Sequence, residues 1–316
     1  MTGSNGLDLT RRNSWRSLWE TTIQGALFCC SFLSIITTLG IIFVLFNECI
    51  YNFGGQQAFF QQYSVVKFLT GTSTDVNSPR FGILPMLIST LEVAVIAALV
   101  SVPIGLTTAI YLSEYASSRM RKYVKPSLEL LAGIPTVVYG YFALKFITPN
   151  LIQPAFALLG LRVDPFNGLA AGIVVGIMII PMVASLSEDA IRAVPKSLRE
   201  AGYALGSTRL DVSLRVVVPA AFSGIIAAFL LAMSRAIGET MAVTLAGGSK
   251  ADMTVNPLKS VLTMTAYIVN VRSGEAPVGT LAYQSLYGVA LTLFCMTLTM
   301  NILSQWVMRR FREVYH

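Results

Sequence analysis

The stretch IRAVPKSLREAGYALGSTRLDVSLRVVVP, residues 191–219, lies between two long apolar runs, and its local signals describe two short helices meeting at a corner. Pro195 suits a first helical position, where its missing N–H would have had no partner. Leu198, Ala201 and Leu205 then fall on one face at helical spacing. Gly206 can take the left-handed conformation that ends a helix, and Ser207 or Thr208 can cap the next one. Apolar spans only a few residues away on both sides make a DNA-reading helix-turn-helix implausible, and a plain solvated loop leaves the spacing unexplained.

Working outward, the run before this corner covers 168–186, with Pro181 inside it, and the run after it covers 218–246. Further runs cover 23–46, 84–112 with a bend expected at Pro103 and Gly105, 126–147, and 281–307. A bilayer core of about 30 Å takes about 20 helical residues, so six spans and their connections use nearly the whole chain. The composition agrees. Hydrophobic residues make up 54% and charged residues 12%, against about a quarter charged in a soluble domain, and mean hydropathy is +0.65. The expected fold is all-α, a polytopic membrane protein with six transmembrane helices. Residues 23–46 are too long for a signal-peptide core, so they remain a span. Residues 258–269 are apolar but short, which predicts a helix lying at the outer surface rather than a seventh span.

Fifteen of the 23 Lys and Arg residues fall in the tail 1–22, the connections 113–125 and 187–217, and the tail 308–316. The connections 47–81, 145–167 and 248–279 hold seven, and Arg235 stands inside a span. This alternation puts both termini and the 187–219 loop in the cytoplasm of a multi-pass cytoplasmic-membrane protein, with 47–81 outside and 82–307 as a five-helix core. The net charge of +7 is then a product of insertion, not a sign of nucleic acid. Cys29, Cys30 and Cys295 lie inside apolar stretches and Cys49 at the edge of one, so no disulfide framework is expected. The single histidine, His316, excludes histidine catalysis and a histidine-based zinc site. No internal repeat is visible, which argues against many inverted-repeat secondary carriers.

An arginine within a span is a site hypothesis by default. Glu239 follows Arg235 at i+4 and on a straight helix would share its face. Two readings stand: a buried ion pair fixing helix register, or a guanidinium partly neutralised by Glu239 that offers a transient bidentate contact to an oxyanion. Gly224, Ala228, Ala232 and Ala236 make a small-residue stripe for close helix packing beside Arg235. Glu92 is placed at a similar depth and is a candidate second partner, whereas Glu129 is expected to pair with Lys125 at i−4.

Glu200-Ala201-Gly202, three residues, Gly206, nine residues and Val216-Val217-Val218-Pro219 together resemble the EAA loop of binding-protein-dependent ABC importers, departing at Gly202, Val216 and Val218. Residues 129–140 (ELLAGIPTVVYG) and 234–243 (SRAIGETMAV) are similar to segments of the phosphate-specific permeases of PstC type, with Ser234 in place of the usual Gly. The likeness runs from about Phe81 to Arg310. It implies the type I importer permease fold and a permease subunit translocating inorganic phosphate, with no catalysis of its own. Leu198, Glu200, Ala201, Gly202, Leu205 and Gly206 would couple to a groove on an ATPase, with Leu198, Ala201 and Leu205 as anchors, Gly202 allowing close approach and Arg199 or Glu200 on the rim. Arg235, Glu239, Thr240, Glu92 and Tyr139 would line the substrate pathway. The implied partners are a PstA-type permease subunit, two PstB-type ATPases and an extracytoplasmic PstS-type phosphate-binding protein in a bacterial inner membrane. The chain has no G-x-x-x-x-G-K-[ST] loop, so ATP and Mg²⁺ would be bound by the ATPase, and no cofactor or metal is expected here. Sulfate or phosphonate transport by the same architecture is the nearest alternative. A proton-relay carrier using Glu92, Glu129 and Glu239, or a channel, is the reading from another class.

Overall fold

In hydrocarbon every backbone polar group must be satisfied within its own segment, so long apolar runs become helices. The computed structural model describes residues 14–51, 57–76, 78, 80–250, 253, 255–275, 277 and 279–310, and every regular element among them is helical. Arg11, Arg12, Arg312 and His316 lie outside the described residues. In chain order the first elements are α1 (Ser14–Phe46), two short helices α2 (Phe59–Gln62) and α3 (Val65–Thr70), and α4 (Leu84–Ile110), which a π-helical turn extends to Tyr115. Next come α5 (Ser118–Ala132) and α6 (Thr136–Phe142), the latter prolonged through Ile152 into α7 (Gln153–Ala157), then α8 (Gly168–Arg192), α9 (Lys196–Ala204) and α10 (Arg209–Val212). The chain continues through α11 (Val218–Ala220), α12 (Phe222–Ile237), α13 (Met241–Gly247), α14 (Met264–Asn270) and α15 (Leu281–Arg310).

Four helices cross-qualify as spans by length and apolarity: 19–51, 84–115, 168–192 and 281–310. Six result only if two bent pairs each count as one, α5 with α6–α7 at 84° and α10–α11 with α12 at 70°. The expected third span, 126–147, therefore straddles a corner. Gly133 closes α5, and Pro135, which has no N–H and pushes Ile134 away from the helical region, starts a new direction. The second corner lies at Ala221, two residues after Pro219, where the backbone leaves the helical region at φ −89° and ψ 0°. The expected fifth span also ends early, at Ile237 rather than Ala246, and a break at 238–240 separates it from α13. By contrast α4 runs through Pro103 without interruption.

The core is a seam between α4 and α8. A Cβ at Gly172 would come within 2.5 Å of Ile96, so the glycine is what lets the two helices touch. In lipid, where no hydrophobic force separates helix from tail, such close contact supplies the association energy. Ala228, Ala232 and Ala236 of α12 are buried, and Gly224 abuts Ala190 of α8. The small-residue stripe thus seats α12 on α8. At the other end of α4, Phe59, Phe68 and Phe81 pack with Met264 and Tyr267. Residues 264–267 of α14 are buried, so the segment 258–269 is tucked into the protein and does not lie on its surface. Its polar groups explain the difference: Met264 N donates to Thr90 Oγ1 at 3.1 Å, and Thr265 Oγ1 donates to the Glu239 carbonyl at 2.8 Å.

Candidate functional site

Arg235 stands on the last turn of α12 with its side chain 52% exposed, whereas Glu239 lies in the following break and is 4% exposed. Their closest approach is 3.9 Å, from Arg235 Nη2 to Glu239 Oε2. The helix ends between the two residues, so the pair is not made across one continuous helical face. Glu239 is fixed instead by its own surroundings. Its Oε1 accepts from Ala242 N at the start of α13, and its carbonyl accepts from Thr265. The result is a held carboxylate beside a loosely held guanidinium whose N–H groups have no hydrogen-bond acceptor among the described residues and can meet a ligand. Thr240, the residue before α13, donates its hydroxyl to the Gly238 carbonyl at 3.3 Å.

Two other sequence candidates sit apart from that pair. Tyr139 is buried on α6, and its hydroxyl donates to the Leu131 carbonyl at 2.8 Å, stapling the corner between α5 and α6. Gly140 beside it lies against Ala242, where a Cβ would come 2.9 Å from the carbonyl oxygen, so α6 rests directly on α13. Glu92 makes no ion pair with Arg235. Its Oε1 is buried near Gly168 at the start of α8, without a hydrogen-bond partner among the described residues.

The 191–219 loop folds as two helices at a corner. Gly206 takes φ +80°, Gly206 N donates to the Tyr203 carbonyl and Ser207 N to the Gly202 carbonyl, which together form a Schellman ending. Thr208 is the cap of α10 and accepts from Asp211 N at 3.2 Å. Pro195 is the cap residue before α9, one position earlier than expected. The inner and outer faces of α9 differ from the sequence expectation. Leu198 packs inward on the cluster of Ala109, Ile191, Val194 and Val212. Gly202 is buried against Val212, with 2.9 Å between a Cβ there and Cγ2, so its small size serves the elbow itself. Arg199 is no rim residue: it pairs with Glu114 at 3.0 Å and donates to the carbonyls of Ile191 and Val194 at 2.8 and 2.6 Å. Exposed residues include Glu200, Ala201, Tyr203, Leu205 and Leu210, with Leu205 87% exposed.

A second charge cluster was not anticipated. Glu188, one turn before the end of α8, is fully buried, with Arg121 at 3.1 Å, Lys125 at 3.4 Å and Arg192 at 3.7 Å. Lys125 also bonds Asp189 at 3.1 Å, so its expected partner Glu129 is left at the surface. Burial acts to lower the Lys125 pKa, but the hydrogen bond to Asp189 and the charges of Glu188 and Asp189 outweigh it and raise it. Arg121 additionally donates to the carbonyls of Leu112 and Ser113 at the end of the α4 extension. The available signal was Glu188-Asp189 at the end of an apolar run, facing the basic 113–125 connection.

Known proteins resemble this chain along most of its length. The family profile described as "Binding-protein-dependent transport system inner membrane component" matches residues 101–313. The chain is 33% identical over 283 residues to the probable ABC transporter permease protein YqgH of Bacillus subtilis, covering 87% of this chain and 89% of that one. It is 34% identical over 257 residues to the phosphate transport system permease protein PstC of Mesorhizobium japonicum, covering 77% and 78%. Among solved structures, a bacterial alginate ABC transporter superposes with a TM-score of 0.58 at 18% identity, covering 95% of this chain and 99% of that one. The MetNI methionine transporter gives a TM-score of 0.52 at 15% identity, covering 73% and 94%. At such identities the structural likeness is one of fold, the type I importer permease fold. With its several apolar helices and a profile match over two thirds of its length, the chain belongs to the binding-protein-dependent transport system inner membrane component family, as a multi-pass permease subunit of an ABC importer that is not itself catalytic.

Proposed function

We propose that this chain imports inorganic phosphate as the PstC-type half of a two-subunit permease, beside a PstA-type partner. Two PstB-type ATPases would hold ATP and Mg²⁺, and a PstS-type protein would deliver phosphate from outside. The observation that carries the reading is the half-exposed Arg235 guanidinium beside the anchored Glu239. A guanidinium presents paired N–H donors that match two oxygens of a phosphate. A carboxylate at 3.9 Å moderates its charge without occupying those donors, so the anion can be held briefly and released. Relatives named as phosphate permeases support the choice of anion. Thr240 and Glu92 remain pathway residues in this reading, and Tyr139 is reassigned to supporting the corner its hydroxyl closes.

The basic loops face the cytoplasm, both termini with them, so α9 is presented to the ATPase. Its docking face is the exposed Glu200, Ala201, Tyr203 and Leu205, while Leu198, Gly202 and Gly206 give the elbow its shape. A second reading, another oxyanion such as sulfate or phosphonate, draws on the same guanidinium chemistry. The deciding experiment reconstitutes the chain with its partner subunits in proteoliposomes and adds loaded binding protein and ATP. Phosphate uptake that requires all of them is expected. Uptake driven by a proton gradient without nucleotide overturns the importer reading, and ATP hydrolysis stimulated by another anion but not phosphate transfers the assignment to that anion.

A further inference from the structure

We propose that Glu188 is the positioning residue that makes the coupling loop and the substrate-side helices move together, through a relay of charges on the α9 side of the protein. The inference rests on the importer reading above and assigns the route by which motion at α9 reaches Arg235. Each link is a contact. Arg199 of α9 pairs with Glu114, at the end of the α4 extension, and donates to the carbonyls of Ile191 in the last turn of α8 and Val194 in the connection that follows. From that extension the carbonyls of Leu112 and Ser113 are taken by Arg121 of α5, which also faces Glu188 of α8. Lys125, one turn along α5, reaches Glu188 and Asp189 together. α5 thus cannot shift relative to α8 without pulling two cations off a buried carboxylate, the kind of contact that favours discrete arrangements over gradual sliding.

From α5 onward the coupling passes by packing. Leu131 accepts from Tyr139 of α6, and Gly140 rests on Ala242, whose N–H binds Glu239. Glu239 is the partner of Arg235. Glu188 touches neither substrate nor ATPase in this scheme; it acts through α5.

A contiguous set of contacts is a physical route only if breaking it uncouples the ends. The complete transporter with loaded binding protein in proteoliposomes gives two readouts, ATP hydrolysed and phosphate imported. Glu188→Gln is expected to keep hydrolysis per assembled complex within about twofold while phosphate imported per ATP falls about tenfold, a usual size for coupling between sites. Lys125→Met, which leaves Arg121 on Glu188, is expected to lower the same ratio about threefold. A wild-type ratio in both variants overturns the proposal, as does a parallel fall of both readouts that follows the amount of assembled complex, since that marks a purely structural role. If Glu188→Gln does not assemble, the Lys125→Met ratio decides alone. Failure of the phosphate reading would appear instead in the unaltered transporter, as hydrolysis without phosphate import, and the ratio is then measured with the anion that stimulates hydrolysis.

Discussion

Two carboxylates in this protein each face cations, Glu239 and Glu188, and the two settings are opposite in stringency. Glu239 has one guanidinium at 3.9 Å whose side chain is 52% exposed. Glu188 has none of its own surface exposed and draws Arg121, Lys125 and Arg192 from two helices. A long ion pair whose cation is half exposed contributes little to stability and leaves that cation free for a ligand. A buried carboxylate is costly unless cations or hydrogen bonds offset its burial, and since neither Glu188 oxygen has a hydrogen-bond partner among the described residues, its three cations carry that task. Loose pairing suits a residue that must exchange an anion, and tight pairing suits one that must hold helices in register.

The largest expected effect tests the tight side. Replacing Arg121 and Lys125 together by Met leaves Glu188 a buried anion with only the half-exposed Arg192 near it and should destabilise the subunit by about 4 kcal/mol, read as the thermal midpoint of the purified complex. A loss no greater than that of Glu239→Gln would erase the distinction between the two sites. Next in size, Arg235→Gln should cut phosphate uptake about 100-fold, the equivalent of one charge-assisted hydrogen bond of about 3 kcal/mol. Its effect on stability should stay below about 1 kcal/mol, because the guanidinium is half exposed and 3.9 Å away from Glu239, which keeps its bond from Ala242 N. Normal uptake in that variant would return Arg235 to a register role. Smaller again, Leu205→Asp should weaken ATPase co-purification about tenfold, as expected if one leucine is buried on docking at about 1.5 kcal/mol, while the chain itself folds normally. Unchanged co-purification would remove Leu205 from the docking face.

The tight site was the less legible of the two. Six apolar runs follow from hydropathy because lipid demands them, and the Schellman end at Gly206 follows because turn chemistry is local. The corners at Gly133–Pro135 and Ala221 escaped because a change of direction leaves composition unchanged. Counting i to i+4 from Arg235 named the right partner but assumed a helix that stops at Ile237. Local spacing assigns Gly202 to a surface contact because Val212, the residue it makes room for, belongs to the next helix. Glu188 was passed over for the same reason in stronger form: its partners on α5 come near only once α5 folds across the end of α8. Long-range charge partners are set by tertiary packing, which no local pattern encodes.

The smallest effect sharpens the comparison most, because it lies on the contact path between the two carboxylates. Tyr139→Phe removes only the hydroxyl that binds the Leu131 carbonyl and keeps the ring packed in the core. One neutral hydrogen bond is worth about 1 kcal/mol, so the thermal midpoint should fall slightly and the complex should assemble. If Tyr139 lined the anion's path, its loss would lower uptake at low phosphate and spare it at saturation, since a binding contact would be missing. If it only staples α5 to α6, uptake should fall by less than about fivefold at all phosphate concentrations, with the apparent affinity unchanged. The geometry favours the second outcome: the hydroxyl proton is already given to Leu131, on the side of the corner that leads toward Glu188. A change in apparent affinity without a change in maximal uptake would place Tyr139 with Arg235 after all.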